Sequence, residues 1–441
     1  MKRIYPFIAF LFFSHFSFAQ YENFDLSKYK LPEIKRHQLD IEFGADGESE
    51  YRKVNYDNSE TNIDDNFNAN INSSLLYSYF KNTEKVQGNL DIDFVTSFIS
   101  DRRERNSVVL DDKSTFNNVL RVSYEAKYYL RNQWFYLLDP YLYLSYNHGE
   151  NDDWESNYNS TSVNPSFGVG FGKGRIEQVQ DYRQAILIIN EMEKRGVLNR
   201  GLTENELLEF AQEISIIKNE RFFDSRKRKE KELKTIDSFL HQRGLIADND
   251  INYFVGMDDM WRYGALQIRE SGDEIKFVVF PGYVYDDWSG NVYGQLNLGG
   301  AIRYKYRKPL NLKWQFNTNL NLNHYYHKVL KQEGISTSET KYRSNFIANS
   351  AVGYYPNTRT YISAELFLVV ENRSNDKVLD SDGYNEHIRL ATRAYYYISE
   401  KLRLGLNISY NWYNNETYGN TVTGSSSNNF NYDLALNYAI F

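Results

Sequence analysis

The chain lacks two features that commonly define a fold. It has no cysteine among its 441 residues, so no disulfide can hold it together even in a compartment that permits disulfides. After the N-terminus it has no run of about 20 apolar residues, the length that a membrane-spanning helix needs. Its mean hydropathy is −0.64. A disulfide scaffold is therefore excluded, and the sequence argues against a helical membrane protein.

The N-terminal segment is the one long apolar stretch. Lys2 and Arg3 precede it, and the small residues Ser17 and Ala19 lie at the third and first positions before Gln20. A charged start, an apolar run and a small-residue cleavage site together predict a secretory signal peptide over residues 1–19. The alternative is a short membrane anchor. We expect an exported mature chain.

Alternation with a period of two is abundant in the rest of the chain. Residues 312–323, LKWQFNTNLNLN, alternate apolar residues or threonine with Lys, Gln or Asn, and residues 401–412 and 430–440 follow the same pattern. A period of two maintained over this length predicts β-strands with one apolar face. The chain also carries 38 Tyr and 28 Phe, residue types that are frequent in strands.

The polar faces of these predicted strands carry charges and amides. Long alternating strands in an exported chain are typical of a transmembrane β-barrel, with apolar residues toward lipid and polar residues toward a wet lumen. The predicted fold class is therefore all-β, a transmembrane antiparallel barrel of about 14 strands with about 12 to 16 possible. Candidate lumen-lining residues are Arg121, Glu125, Lys127, Arg303, Lys305, Lys313, Glu365, Arg389, Arg393 and Arg403.

Connections between the predicted strands alternate between short and long. Short turns belong on the periplasmic side of such barrels and long loops outside, and an even strand count returns both ends to the periplasm. The predicted short turns are residues 82–85, 131–133, 309–311, 357–359 and 400–401. The predicted long loops are 49–66, 101–115, 148–160, 327–343, 372–385 and 415–427.

A helical pattern interrupts the strands over residues 173–272, between a first barrel part (20–172) and a second (273–441). Apolar residues keep helical spacing from Ile176, Gly196 suits a helix C-terminus, and residues 203–206, TENE, form a capping box. A further helix is predicted over residues 257–269. Since the insert follows a descending strand, we expect it on the periplasmic side.

The insert also carries a resemblance. Residues 170–177, GFGKGRIE, together with Ile214-Ser215, Lys218-Asn219 and the run 221–226, make the chain resemble a group of uncharacterised outer-membrane β-barrel proteins of the Bacteroidota. The resemblance implies a location and an architecture, and it supplies no activity. The insert motif candidates are Arg175, Glu177, Asn219, Arg221, Asp224 and Arg226.

The C-terminal residue, Phe441, resembles the assembly signal that the barrel-assembly machinery recognises in outer-membrane proteins. It is out of phase here, because Ile440, Tyr438 and Leu436 occupy the apolar face while Phe441 aligns with Asn437.

Motifs with chemistry are scarce. The basic run 226–234 is expected to be a solvated helix face rather than a nucleic-acid site, with an acidic partner or an anionic headgroup as the functional alternative. Residues 380–386, DSDGYNE, resemble half of a calcium loop but lack the late glutamate, so no metal site and no cofactor are predicted. The clustered His324 and His327 have no nucleophile at a fixed spacing, and we expect no enzyme.

Two functional hypotheses follow. In the first, the barrel is a channel or transporter for small polar solutes, and the insert covers its periplasmic mouth or couples it to a periplasmic protein partner. In the second, the barrel anchors the insert as a docking domain for envelope assembly or secretion. Both require the lipid bilayer of the outer membrane and the barrel-assembly machinery as partners, and neither involves nucleic acid.

Overall fold

The architecture was obtained as a computed structural model. It describes residues 24–55, 61–151, 157–219, 225–246, 251–264, 267–333, 340–375, 382–399, 402–418 and 423–438. The predicted signal peptide and Phe441 lie outside this part of the chain.

In the part of the chain that the structure describes, the alternating segments form fourteen strands. These are β1 (Ile34–Asn55), β2 (Thr61–Asn82), β3 (Val86–Arg105), β4 (Val108–Tyr129), β5 (Trp134–Asn151), β6 (Tyr158–Gln178), β7 (Glu270–Trp288), β8 (Asn291–Pro309), β9 (Trp314–Gln332), β10 (Thr340–Tyr354), β11 (Thr360–Asn375), β12 (Asp382–Tyr397), β13 (Leu402–Tyr418) and β14 (Thr423–Tyr438). Within the described ranges, four helices lie between β6 and β7: α1 (Gln180–Lys194), α2 (Glu204–Asn219), α3 (Ser225–Gln242) and α4 (Ile251–Gly264).

The strands form one antiparallel meander in which each strand pairs with its neighbours in sequence, from β1 to β14. The predicted fold class, an antiparallel barrel sheet of about 14 strands with a helical insert, is confirmed. Among the residues that the structure describes, β1 and β14 do not pair with each other, so the sheet is not closed. Both chain ends of the sheet lie at the end that carries the turns 83–85, 130–133 and 310–313, where Ile34 pairs with Asn82 and Leu402 with Tyr438. This end is called the short-turn end, after the turns that the sequence predicts to be short.

The sheet has an apolar face and a polar face, as the alternation predicts. On the apolar face, large side chains remain in contact with solvent along several neighbouring strands, among them Ile302, Leu322, Leu366 and Leu406. The polar face carries Asn and charged residues, with Asn323 and Asn345 buried side by side and joined by a hydrogen bond of 2.7 Å. Closing this sheet with the apolar face outward is what a lipid environment would favour.

The predicted long loops include residues that belong to strands in the structure. Strands β1 and β2 continue to Asn55 and from Thr61, and β3 and β4 meet at the two-residue turn Asn106-Ser107. Apolar alternation ends earlier than hydrogen bonding, because a strand needs no apolar face to remain paired with its neighbour. A strand of 22 residues spans about 70 Å, against about 30 Å for a bilayer core.

The insert has its own core, which continues into the sheet. Buried residues of all four helices pack with Leu26 and Tyr29 of the segment before β1 and with Leu312 of the β8–β9 turn. Tyr29 Oη lies 2.6 Å from Ser215 Oγ. Among the described residues, no helix is long and apolar enough to cross a membrane.

Two helix predictions need correction. Ile176 lies in β6, not in a helix, because Ile176 pairs with Gly272 across the sheet and α1 begins only at Gln180. The last helix is α4, Ile251–Gly264, rather than 257–269. Gln267 and Arg269 lie outside the helix, and their side chains donate hydrogen bonds to turn carbonyls of the sheet. The capping box is confirmed, since Thr203 N donates to Glu206 Oε2 at 2.9 Å, and Gly196 has the positive φ of +69° expected at a helix end.

Candidate functional site

The sequence candidates for a lumen lining share the polar face of the sheet, apart from Lys313. Strand register places Arg121, Glu125 and Lys127 on the same face as Arg303 and the other candidates on β8, β11, β12 and β13. Lys313 lies in the turn before β9.

The most buried charges on this face form a network between β4 and β7. Lys127 Nζ lies 2.6 Å from Glu274 Oε2 and 3.4 Å from Glu125 Oε1. Lys276 Nζ bonds Glu125 and lies 3.8 Å from Glu274. The side chains of Lys276 and Glu274 are 2% and 1% exposed, so their charges are stabilised by each other rather than by water.

Glycines on β6 permit this contact across two intervening strands. Gly168, Gly170 and Gly172 face the network side, where a Cβ on Gly172 would lie 2.4 Å from the Phe135 ring and one on Gly170 would lie 2.2 Å from the Phe277 carbonyl oxygen. Phe135 and Leu137 of β5 are buried against the bare backbone. Arg303 of β8 likewise reaches Asp139 of β5 at 3.2 Å.

Other candidates form ion pairs between adjacent strands. Arg121 pairs with Asp93 at 2.8 Å, and Glu365 is shared by Arg389 at 2.6 Å and Arg393 at 3.5 Å. Arg403 lies over the rings of Tyr395 and Tyr397. Positive and negative groups therefore alternate along the polar face, without a large region of one sign.

The insert is fastened to the short turns by Arg269. Its Nη2 donates to the Asn311 and Trp314 carbonyls at 2.8 and 2.9 Å, its Nη1 to the Leu312 carbonyl at 2.8 Å, and its Nε to Gln315. The five N–H donors of one buried guanidinium therefore reach several carbonyls of this turn together. This contact holds the segment before β7 against the β8–β9 turn.

Arg183 of α1 is buried beside Arg269. Its Nε donates to the Leu312 carbonyl at 3.2 Å, and both guanidinium groups lie over the Tyr355 ring. Desolvation, with repulsion from Arg269, lowers the pKa of Arg183 to about 9. Burial lowers the pKa of Arg269 to about 10. Both groups remain protonated at neutral pH, so two cations are held under the insert by carbonyls and an aromatic ring.

The insert and the segment before β1 also contact turns on both sides of the β8–β9 turn. Gln267 Nε2 donates to the Thr360 carbonyl at 3.0 Å, and Arg359 pairs with Asp259 of α4 at 2.8 Å. On the other side, Asn82 at the end of β2 donates to the carbonyls of Leu31 and Pro32, in the segment that packs on the insert. The helices and this segment therefore extend along the short-turn end from β2 to β11.

The insert motif residues have structural contacts where the structure describes them. Arg175 donates to Asn82 Oδ1 at 2.9 Å and to the Thr83 carbonyl at 3.0 Å, and it pairs with Glu177 at 2.6 Å. Asn219 donates to the Ser215 carbonyl in α2. Arg221 and Asp224 lie outside the described residues, as does the side chain of Arg226.

The clustered histidines are not brought together. His324 lies on the apolar face, where it stacks on Tyr342 and bonds Ser344, whereas His327 lies on the polar face against Asn297. Of the calcium-like loop, residues 380 and 381 lie outside the described residues, and Asp382 begins β12. Within the described ranges, no group of three or more His, Asp or Glu could hold a metal ion.

Sequence reasoning missed several residues of this site. Glu274 and Lys276 stand on a strand that the alternation predicts, but their contact with β4 depends on the curvature that the β6 glycines allow. Arg183 and Arg269 occur in a helical region rich in charge, where nothing in the sequence marks a buried arginine. The sequence signal for this contact is the alternating glycine pattern GVGFGKG over residues 168–174.

The known structures that match this chain have low sequence identity and low TM-scores. No protein-family model matches the sequence, and no curated protein matches it. Matching solved structures include a bacterial polysaccharide outer-membrane secretin, at 6% identity and a TM-score of 0.30 over 94% of this chain and 99% of that one. The alcaligin outer-membrane receptor FauA of Bordetella pertussis has 7% identity and a TM-score of 0.31, over 92% of this chain and 62% of the receptor. Pseudomonas aeruginosa OccK11 has 7% identity and a TM-score of 0.22, over 94% and 99%.

Proposed function

We propose that the chain is an outer-membrane β-barrel that forms a channel for small polar solutes, with its periplasmic mouth covered by the helical insert. In this proposal the sheet closes between β1 and β14 in the bilayer, residues 1–19 are a cleaved signal peptide, and the short turns face the periplasm. The polar face then lines a hydrated lumen, in which Arg121, Glu125, Lys127 and the other candidates contact water and solute.

The observation that carries the proposal is the position of the insert. The helices and the segment before β1 lie along the short-turn end from β2 to β11, fastened through Arg269, Gln267 and Arg359. A cover at one end of a barrel controls solute passage if the lumen is otherwise hydrated. The mixed charges of the polar face support hydration without strong selectivity for cations or anions.

Conductance in planar bilayers tests this proposal, and the register supplies the deletion. Gln178 pairs with Glu270, so residues 179–269 lie between two strands that are already neighbours. Replacing them by Asn-Gly gives a two-residue hairpin turn of the kind that joins antiparallel strands. We expect low or intermittent conductance from the mature chain and a larger, steady conductance from the deletion variant.

A milder variant checks that the effect comes from the cover. Arg269→Leu removes the bonds to the β8–β9 turn and should raise the open fraction, whereas Arg262→Leu, which breaks a pair with Asp258 inside α4, should not. Each variant is first shown to be folded by its heat-modifiable mobility on a gel. Silence from both the folded mature chain and the folded deletion variant would contradict the channel.

The buried network on β4 and β7 favours a second function. Lys276, Glu274, Phe135 and Leu137 fill part of the polar face, which is what a closed barrel that serves only as an anchor would show. The insert would then be a docking domain for a periplasmic partner in envelope assembly or secretion. Silence in the conductance experiment would favour this reading.

A further inference from the structure

A cavity of about 440 Å³ lies on the polar face directly below the insert. Its walls come from β9, β10 and β11, and from Tyr355 after β10, Arg307 of β8, Tyr395 of β12 and Glu270 of β7. Residues 267 and 268, in the return segment of the insert between α4 and β7, complete the lining. Its volume falls within the range of small-molecule sites, about 300 to 1,000 Å³. The cavity therefore combines a barrel wall with a wall supplied by the insert.

Tyrosine rings form one side of the cavity. Tyr355 and Tyr361 have ring centroids 4.9 Å apart, and Tyr361 and Tyr395 have centroids 5.0 Å apart. A tyrosine ring offers an apolar face for C–H groups and a hydroxyl for hydrogen bonding. A row of three such rings suits a flat ligand with C–H groups on its faces and polar groups at its edge.

Amide side chains form much of the remaining wall. Gln267, Gln315, Asn317, Asn319 and Asn349 all line the cavity. An amide presents donors and an acceptor together, which matches a hydroxyl group that also donates and accepts. Hydroxyl-rich ligands are the class that such a lining recognises best.

One of these amides has an unused acceptor. Gln267 is 1% exposed, and its Nε2 donates to the Thr358 and Thr360 carbonyls at 3.5 and 3.0 Å. Its Oε1 is buried and has no hydrogen-bond partner among the residues that the structure describes. A buried acceptor without a donor costs free energy, so a ligand that supplies a donor at this position gains affinity.

The charges that line the cavity are already paired. Glu270 bonds Arg307 at 2.8 Å, and Glu365 bonds Arg389 and Arg393. Arg307 also donates to Asn319 Oδ1 and to the Thr318 carbonyl. An ionic ligand would have to separate one of these pairs, whereas a neutral ligand leaves them intact.

From the row of tyrosines, the amides and the open acceptor of Gln267, we propose that this cavity binds a neutral saccharide of one or two rings. The sugar ring lies on Tyr361 and Tyr395, and one of its hydroxyl groups donates to Gln267 Oε1. This inference rests on the proposed function and names the class of polar solute that passes. Because Gln267 belongs to the return segment of the insert, the bound sugar contacts the cover itself.

Calorimetric titration of the folded full-length mature protein in detergent tests the inference. The neutral probes are glucose, maltose and N-acetylglucosamine, and the charged probes are glucuronate and glucosamine. We expect at least one neutral probe to bind more tightly than both charged probes. Binding of none of the neutral probes, or tighter binding of a charged probe, would overturn the proposal.

Matched variants locate the site. Gln267→Leu should weaken binding of the neutral probe by about five- to tenfold, the effect of one hydrogen bond, and Tyr361→Leu should weaken it similarly through lost stacking. Gln295→Leu and Tyr325→Leu serve as controls, because both residues lie on the polar face of β8 and β9 outside the cavity and should leave binding unchanged. Equal affinity in all four folded variants would place the sugar elsewhere and contradict the assignment.

The binding experiment and the conductance experiment test the saccharide site and the channel separately. A protein that binds the neutral probe but stays silent in bilayers, even without residues 179–269, would contradict the channel and keep the saccharide site. A protein that conducts but binds no neutral probe would keep the channel and contradict the saccharide site.

Discussion

At the residue scale, the two buried arginines carry the contact between insert and sheet. Arg183 is 2% exposed and Arg269 is fully buried, and the charged group that acts most strongly on Arg183 is Arg269 itself. Turn carbonyls and the Tyr355 ring stabilise this repulsive pair. Sequence analysis could not find it, because a helix with many surface charges gives no sign of which arginine is buried.

Removing Arg269 should loosen the insert without unfolding the sheet. Arg269→Leu removes the guanidinium donor from the carbonyls of Asn311, Leu312 and Trp314, and losing a hydrogen bond to a charged group costs about 1.5 to 3 kcal/mol. We expect faster proteolysis within residues 179–269 while gel mobility of the folded barrel is retained. Cleavage at the wild-type rate would contradict the role given to Arg269, and Arg262→Leu is the control.

At the element scale, α2 and β6 depend on local features that the sequence contains. The capping box of α2 is visible as TENE, and the structure places Glu206 N 3.3 Å from Thr203 Oγ1. The glycines of β6 are visible too, although their purpose appears only when β5 and β7 are placed beside them. Residues 176 and 267–269 were misassigned for a physical reason: strand pairing at Ile176 and the side-chain bonds of Gln267 and Arg269 to the turns override helical spacing.

The capping box of α2 should contribute measurably to the insert. Thr203→Ala removes a side chain that satisfies a free N–H group of the first turn, a loss of about 1 kcal/mol. Hydrogen exchange of the α2 amides should therefore accelerate by about fivefold, with α4 amides as an internal reference. Unchanged protection in α2 would show that packing alone fixes its start.

The same box predicts a pH dependence. Hydrogen bonds from Arg200 and from the Thr203 backbone lower the pKa of Glu206 from 4.5 to about 2. Since the folded pKa lies below the unfolded one, the contribution is complete above about pH 4.5 and is lost as the pH falls toward 2. Protection of α2 should decline over this window in the wild type and decline less in Glu206→Gln. A parallel decline of α2 protection in both proteins would contradict a role for Glu206 in the pH dependence.

A methyl group on β6 should disturb the sheet where the strands curve. In Gly170→Ala the new Cβ would lie 2.2 Å from the Phe277 carbonyl oxygen, so the backbone of β7 must shift. Overpacking of this kind costs about 1 to 3 kcal/mol. Gly300→Ala is the matched control, because its Cβ would meet nothing within 4 Å. We expect a lower unfolding midpoint in urea for Gly170→Ala alone, and equal midpoints would contradict the packing described for β6.

At the scale of the whole molecule, the alternation of apolar and polar residues predicts the strands of the sheet but not the residues at which they end. Residues 312–323 predict β9, which begins at Trp314, and the strand count agrees because each apolar run belongs to one strand. The predicted loops are too long because strand pairing continues into segments in which apolar and polar residues no longer alternate. The polar-face residues follow from the same alternation, whereas the contacts of Lys276 and Glu274 with β4 depend on how the sheet curves.

The central claim is that the apolar face meets lipid and the polar face meets water, and one pair of variants tests it most directly. Leu406 is 39% exposed near the middle of the apolar run of β13, and Asn407 lies on the polar face between Arg393 and Asp433. An arginine on the lipid face near the midplane costs about 2 to 4 kcal/mol, whereas one on the lumen face is solvated.

The measurement is the fraction of folded protein inserted into liposomes, read as heat-modifiable mobility for Leu406→Arg, Asn407→Arg and the wild type. The account predicts impaired insertion for Leu406→Arg and near wild-type insertion for Asn407→Arg. Equal insertion of the two variants, or impairment of Asn407→Arg alone, would contradict the assignment of the two faces.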